Sequence, residues 1–114
     1  MIAVLLQSAV LQGQGFASAL SFIQQSAAQG QSIDSVFLYR DAVYAASSAI
    51  DLPSDEPDLA ALLRDCCRQH QIPLLYCVTA AEKRGVCQIA APCIAAGLAE
   101  FAMRLSQVNQ LVQF

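Results

Sequence analysis

The sequence predicts an α/β domain, a three-layer sandwich in which a mostly parallel sheet of four to five strands is covered by helices. Short apolar runs that suit buried strands alternate along the chain with segments of helical periodicity. Such alternation is typical of parallel sheets joined by right-handed crossovers. The length of 114 residues suits a single domain spanning 1–114, which would bury roughly 65% of the surface of the unfolded chain.

The chain opens with a strand and a helix. Residues 2 to 6, IAVLL, form a continuous apolar run that suits a strand buried on both faces. Phe16, Leu20 and Ile23 then recur at helical spacing, and Gly30 is placed to end that helix as its C′ residue.

A second strand and a second helix follow. IDSVFLY, 33–39, is rich in β-branched and aromatic residues, and RDAVYAASS, 40–48, is expected to form one or two helical turns. The charged, proline-bearing stretch 51–58 is expected to be a loop. It leads into a helix at 58–70 whose apolar stripe consists of Leu59, Leu62, Leu63, Cys66 and Cys67.

The last third of the chain continues the alternation. The predicted elements there are a strand at 72–78, a short helix at 79–84, a helix at 97–105 and a strand at 109–114. Gly85 is expected to stop the short helix. The segment 87–96 shows neither period and is assigned to no element.

Composition and charge limit the classes of partner. Apolar residues make up 56% of the chain and charged residues only 13%, so part of the apolar exterior is expected to meet another subunit. A net charge of −3 with six basic residues cannot supply the basic stripe that nucleic-acid binding requires. We therefore expect an obligate oligomer that does not bind RNA or DNA directly.

The amino-terminal stretch resembles a signal peptide only in its apolar start. No Lys or Arg precedes that run, and Gln7, Gln12 and Gln14 interrupt it early. No stretch of the chain has the unbroken run of about eighteen apolar residues that a membrane-spanning helix requires. These features predict a cytoplasmic protein without a membrane partner, whose five cysteines are mostly reduced thiols.

One cysteine falls at a strand-to-helix junction. Cys77 ends the third predicted strand, and Arg40, Asp41 and Tyr44 follow the end of the second. Because parallel strands end at one edge of the sheet, where reaction sites gather, these side chains should line one rim. Backbone N–H groups at a helix start favour an ionised thiol, which predicts a reactive Cys77. The alternative is a small core residue.

The short helix after Cys77 carries further candidates. Thr79 and Glu82 have the spacing of a capping box, which would begin the helix two residues beyond the thiol. Lys83 and Arg84, in its last turn, would add positive potential near the sulfur or meet an acidic partner. Alternatively, they form a solvated helix end that complements its own dipole.

A histidine-activated thiol is not expected. His70 is the only histidine, and it ends the helix that returns the chain to the start of the Cys77 strand, roughly 15 Å from the thiol. A thiolate that works without a general base suits sulfur exchange better than acyl transfer.

The other cysteines are weaker candidates. Cys66 and Cys67 lie on the apolar stripe and are expected in the core. Cys67, His70, Cys87 and Cys93 could be imagined as zinc ligands, but no paired C-x-x-C occurs. Cys87 could act as a resolving thiol only if its loop folds back toward Cys77. No metal or organic cofactor is therefore predicted.

Four blocks of the chain combine into one pattern. They are SVFLYRDAVYAASS at 35–48, SDEPDL at 54–59, CVTAAEKRGV at 77–86 and LVQF at 111–114. Together with the apolar first strand, these blocks resemble the DsrE/TusD family of sulfur-relay proteins nearly end to end. The resemblance implies a flavodoxin-like, DsrE-like fold.

The resemblance also implies a TusD-like sulfurtransferase subunit that assembles with TusB-like and TusC-like subunits into a heterohexamer. Such complexes accept sulfur as a persulfide from a TusA-like carrier and pass it to a TusE-like protein, toward 2-thiouridine in the wobble position of tRNA. The family's persulfide cysteine matches Cys77. We expect Thr79, Lys83, Arg84 and Arg40 to support its thiolate or to dock a partner.

Three other functions stay open. A non-catalytic structural subunit would contribute apolar interface while a paralogue carries the sulfur. A DsrE-type subunit would serve dissimilatory sulfur oxidation. A flavodoxin-like domain would bind a small ligand or nucleotide, although the G-Q-G at 13–15 lacks the third glycine and the lysine of phosphate-binding loops.

Overall fold

The computed structural model describes residues 1–9, 14–48 and 58–114. The predicted loop at 51–58, apart from Asp58, and Gly13 of the G-Q-G motif lie outside the described residues. In the described part the strands are β1 (Ile2–Leu6), β2 (Ile33–Leu38), β3 (Leu74–Cys77), β4 (Ile94–Ala96) and β5 (Gln110–Gln113). The α-helices are α1 (Gly15–Ala28), α2 (Leu59–Gln69), α3 (Val78–Lys83) and α4 (Leu98–Arg104), and 3₁₀ helices span Arg40–Ala46 and Leu105–Gln107.

These strands form one parallel sheet in the order β4-β3-β2-β1-β5. The predicted α/β class with a parallel sheet is therefore confirmed. The strand absent from the prediction is β4, which comes from the unassigned segment 87–96. It has only three residues, of which Ile94 and Ala95 are exposed. This is too short for an alternation of apolar and polar residues to be recognised in the sequence.

The centre of the sheet is buried on both faces. Val36, Phe37 and Leu38 of β2 are fully buried, although neighbouring residues of a strand point to opposite faces. Phe37 stacks on Phe101 of α4 with ring centroids 4.7 Å apart, while α1 and α2 pack against each other. Burying each such side chain stabilises the fold by roughly 2 kcal/mol. Helices therefore cover both faces, as predicted.

Two helix ends follow their sequence signals. Gly30 comes just after α1 with a φ of +80°, as expected of a C′ residue, because glycine adopts this left-handed conformation without a Cβ clash. Helix α2 begins after Asp58, whose carboxylate accepts a hydrogen bond from the Ala61 N–H at 3.0 Å.

The apolar stripe predicted for α2 is only partly buried. Leu63, Cys66 and Cys67 lie in the core, but Leu62 is 46% exposed. Ala60 is buried instead, because the face that meets the core is centred closer to Leu63 and leaves Leu62 at the margin of the stripe.

Candidate functional site

A cavity of about 440 Å³ opens at the carboxyl edge of the sheet. Strand β3 ends there at Cys77, and Tyr39 and Arg40 follow the end of β2. All five residues that the sequence singled out as reactive or supporting face this one space. The cavity is lined by Tyr39, Arg40, Cys77, Thr79, Ala80, Lys83, Arg84 and Leu98.

Cys77 is the residue from which the strand passes directly into a helix. It is the N-cap residue of α3, with extended backbone angles, and its side chain is 4% exposed. The predicted capping box is wrong, because α3 begins at Val78 and Thr79 lies within its first turn without a capping side-chain bond. The thiol consequently lies directly at the helix start, where first-turn N–H groups have no intrahelical acceptor.

Arg84 connects the two segments that enclose the cavity. Its Nε donates to Oδ1 of Asp41 at 2.9 Å, and its Nη1 donates to the Ala80 carbonyl at 3.2 Å. The first bond joins α3 to the 3₁₀ helix that follows β2, and the second holds the guanidinium against α3 itself. Lys83 is exposed beside it, and Gly85 ends the helix with a φ of +71°, as predicted.

Arg40 begins that 3₁₀ helix in an unusual conformation. Its φ is +53°, in the left-handed region that non-glycine residues rarely adopt. The guanidinium carbon lies 5.8 Å from the centroid of the Tyr39 ring, within the range of a cation–π contact.

Two residues predicted at the rim do not line the cavity, and three residues that line it were not predicted. Tyr44 is exposed on the 3₁₀ helix, outside the cavity wall, and Asp41 meets the site only through its bond to Arg84. Tyr39, Ala80 and Leu98 line the cavity as well. The signal for Tyr39 was its place directly after an apolar strand, whereas Leu98 reaches the rim only because Ala96 of the unpredicted β4 pairs with Cys77.

The other cysteines lie outside the cavity wall. Burial raises the pKa of Cys66, and it raises that of Cys67 to about 12, with smaller contributions from the neighbouring Cys66 and Cys93 thiols. Burial also raises the pKa of Cys93 to about 11, partly opposed by Arg64. Cys87 is exposed and does not line the cavity. Of the five cysteines, Cys77 alone lines the cavity.

His70 and the imagined zinc ligands lie apart from this site. His70 is the exposed C-cap residue of α2 and does not line the cavity. Within residues 1–9, 14–48 and 58–114, no three His, Cys, Asp or Glu side chains are grouped closely enough to hold a metal ion. Over the same ranges, no helix combines the length and apolarity that crossing a bilayer requires.

Comparisons with known proteins bear on the family. A model of the DsrE/DsrF-like family matches residues 2–114. A protein named sulfurtransferase TusD, from Erwinia tasmaniensis, is 41% identical over 73 residues, which are 64% of this chain and 57% of that protein. The chain thus spans a little over half the length of this curated relative.

Solved structures bear on the fold. The ychN protein from E. coli superposes with a TM-score of 0.88 at 19% identity, over 99% of this chain and 97% of that one. BT1422, a conserved protein of unknown function from Bacteroides thetaiotaomicron, gives a TM-score of 0.70 at 14% identity, over 99% and 94% of the two chains. Both share the architecture described above. Because the family match extends over nearly every residue, the chain belongs to the DsrE/DsrF-like family, as the sequence resemblance predicted.

Proposed function

We propose that the chain is a TusD-like sulfurtransferase subunit that accepts a persulfide sulfur on Cys77 and passes it on. The observation that carries this proposal is the position of Cys77, at the end of a buried strand, in a cavity that also contains Arg40 and Lys83. Membership of the DsrE/DsrF-like family and the similarity to a protein named sulfurtransferase TusD support the same chemistry.

The proposed reaction needs one nucleophile and no general base. The Cys77 thiolate attacks the terminal sulfur of a donor persulfide, R–S–SH. A new S–S bond forms to Cys77 while the donor S–S bond breaks. The electron pair leaves with the donor sulfur as R–S⁻, and the proton stays on the transferred sulfur. Cys77–S–SH then yields that sulfur to the next thiolate, so the relay consumes no oxidant or reductant.

The site offers a nascent persulfide both protection and access. Cys77 is 4% exposed, so bulk thiols would reach a persulfide there slowly, while a donor group that enters the cavity would meet the sulfur directly. Thr79 is part of the first turn of α3 and lines the same cavity as Cys77, and Arg84 holds that helix against the segment after β2.

In this proposal the donor is a TusA-like carrier and the acceptor a TusE-like protein. The chain acts in a cytoplasmic heterohexamer with TusB-like and TusC-like subunits, and the sulfur ends in 2-thiouridine at the tRNA wobble position. Ile94, Leu98 and Met103 are 53%, 48% and 75% exposed. This apolar exposure on β4 and α4 supports an assembly that covers them.

Intact-mass spectrometry of the protein with its co-purified partners tests the proposal. The complex is exposed to a cysteine desulfurase and a persulfide-loaded carrier. Wild type is expected to gain one labile sulfur that maps to Cys77, because the cavity admits the donor there. Cys77→Ser is expected to gain none. Cys87→Ser is the matched control, since Cys87 is exposed but outside the cavity, and it should load like wild type.

Sulfur that persists in Cys77→Ser would overturn the Cys77 mechanism in favour of another thiol. A wild-type complex that loads sulfur only on a partner would show a structural subunit instead. Loss of 2-thiouridine from the tRNA of cells carrying Cys77→Ser would support wobble thiolation, and unchanged 2-thiouridine with impaired sulfur oxidation would assign the chain to the DsrE-type pathway.

A further inference from the structure

The three cationic side chains in the cavity differ in how their charges are balanced. Arg84 is bound to Asp41 through a 2.9 Å hydrogen bond, and its side chain is only 25% exposed. Arg40 and Lys83 make no ion pair within the described ranges. Asp41 therefore balances much of the charge of Arg84, whereas the charges of Arg40 and Lys83 are available to a ligand.

Arg40 combines a backbone cost with a directed side chain. A left-handed φ such as its +53° costs a non-glycine residue roughly 1 kcal/mol or more. Glycine would remove this cost, but it would also remove the guanidinium that lies over Tyr39 on the cavity wall. Backbone strain of this kind occurs at functional sites, but Gln71 has a similar φ of +57° outside the cavity. The place of Arg40 on the cavity wall, beside Cys77, therefore relates its conformation to a ligand.

We propose that Arg40 and Lys83 form an anion-recognition pair that binds a negatively charged group on the persulfide donor, and that Asp41 limits the positive charge of the cavity by holding Arg84. This inference rests on the proposed sulfur transfer and names its substrate class, a persulfide with an anionic group beside its sulfur. The cavity of about 440 Å³ has room for such a group, because a single sulfur atom fills only a small part of it.

The same pair would act during the transfer. As the donor S–S bond breaks, negative charge moves from the Cys77 sulfur to the leaving sulfur of R–S⁻. The two cations on the cavity wall stabilise that charge as it develops. Arg84 and Asp41 are then positioning residues, because their bond holds α3 against the 3₁₀ helix on which Arg40 begins.

Alkylation of Cys77 by iodoacetate and by iodoacetamide tests the proposal without any donor. Both reagents form a C–S bond and release iodide, but only iodoacetate is negatively charged. We define the alkylation ratio as the rate constant for iodoacetate divided by the rate constant for iodoacetamide, both measured at Cys77 by peptide mass spectrometry on the native complex. This ratio is expected to fall about fivefold in Arg40→Gln and in Lys83→Gln. Asp41→Asn is expected to raise it, because Arg84 loses its counter-charge.

Matched variants separate charge from structure. Arg40→Lys keeps a cation and is expected to keep the ratio. Arg68→Gln removes an arginine that is outside the cavity and paired with Asp65, so it should leave the ratio unchanged. Arg40→Gly removes the charge while relieving the backbone. A lowered ratio in a glycine variant that is at least as stable as wild type would therefore exclude misfolding as the cause.

An unchanged ratio in both Arg40→Gln and Lys83→Gln would overturn the anion pair, whether or not Cys77 carries sulfur. A lowered ratio would support the pair even in a protein that takes up no sulfur, and in that case the relay function alone would fail. The exposed Cys87, alkylated in the same samples, provides the reference for reagent concentration.

Discussion

Two buried cysteines of this protein have opposite surroundings. Cys77 is 4% exposed at the carboxyl edge of the sheet, where it lines a cavity with cationic walls. Cys67 is fully enclosed on α2, and burial raises its pKa to about 12. The neighbouring sulfurs of Cys66 and Cys93 repel a thiolate at Cys67 and raise its pKa further.

Low exposure alone therefore does not distinguish a packing cysteine from a candidate nucleophile. Ionisation of Cys67 is opposed by desolvation and by repulsion from the neighbouring sulfurs, so this residue is held as a neutral thiol. Cys77 has almost the same exposed fraction, but an open space and the start of a helix adjoin its sulfur. The difference lies in what a reagent can reach and in which charges meet it there.

The largest expected effect is the protection of Cys67 from alkylation. Its pKa of about 12 in the folded chain, against the reference value of 9.0, lowers the thiolate fraction roughly thousandfold near neutral pH. Iodoacetamide labelling followed by peptide mapping should therefore modify Cys67 at least that much more slowly in the native protein than in urea. Cys77 should be labelled before the protein unfolds. Native labelling of Cys67 at the rate of Cys77 would abolish the distinction.

The fold could be predicted wherever strands are buried on both faces. In β2, the continuous run Val36–Leu38 has no solvent-facing position, so its composition alone indicates a central parallel strand. The edge strand β4 has two exposed residues out of three, and its pairing with β3 depends on a tertiary contact that leaves no local signal. Leu98 could not be placed at the cavity for the same reason.

The site was predictable to the level of the sheet edge. Parallel strands that end together bring Cys77 and Arg40 to one rim, and both strands were recognised in the sequence. The ion pair between Arg84 and Asp41 could not be foreseen, because it depends on how the segment after β2 turns over α3. The positive φ of Arg40 belongs to the same turn.

A second, smaller effect concerns stability at high pH. The pKa of Cys67 is raised from 9.0 to about 12 on folding, so the folded chain keeps the proton that the unfolded chain loses. This contribution to stability is complete below pH 9.0 and is lost as pH rises toward about 12. Urea unfolding should show a loss of about 1 kcal/mol from this thiol between about pH 8 and about pH 10.

Cys67→Ala is the reference for that measurement, because it removes the titrating group. The variant should be less stable than wild type at about pH 8, by roughly 1 kcal/mol for the lost sulfur contacts, yet should lose less stability on going to about pH 10. Parallel pH dependence of the two proteins would mean that burial does not hold the Cys67 proton.

The smallest expected effect tests how far a nearby positive charge offsets burial at the Cys93 thiol. Arg64 lowers the pKa of Cys93, but burial outweighs it and the pKa is raised to about 11. Arg64→Gln should therefore slow the alkylation of Cys93 only about threefold, and Arg64→Lys should preserve the native rate. The Arg64 side chain also donates to the Ala45 carbonyl at 2.8 Å, so the thermal stability of each variant must be measured beside its labelling rate.

Faster labelling in a folded Arg64→Gln protein would show that the arginine protects Cys93 by blocking access of the reagent and not by its charge. A slower rate in both variants would show that the Ala45 bond holds Cys93 in a reactive position. Only the pattern of slow glutamine and normal lysine identifies a cation that weakly opposes burial, in contrast to the cations proposed to act on ligands at the Cys77 cavity.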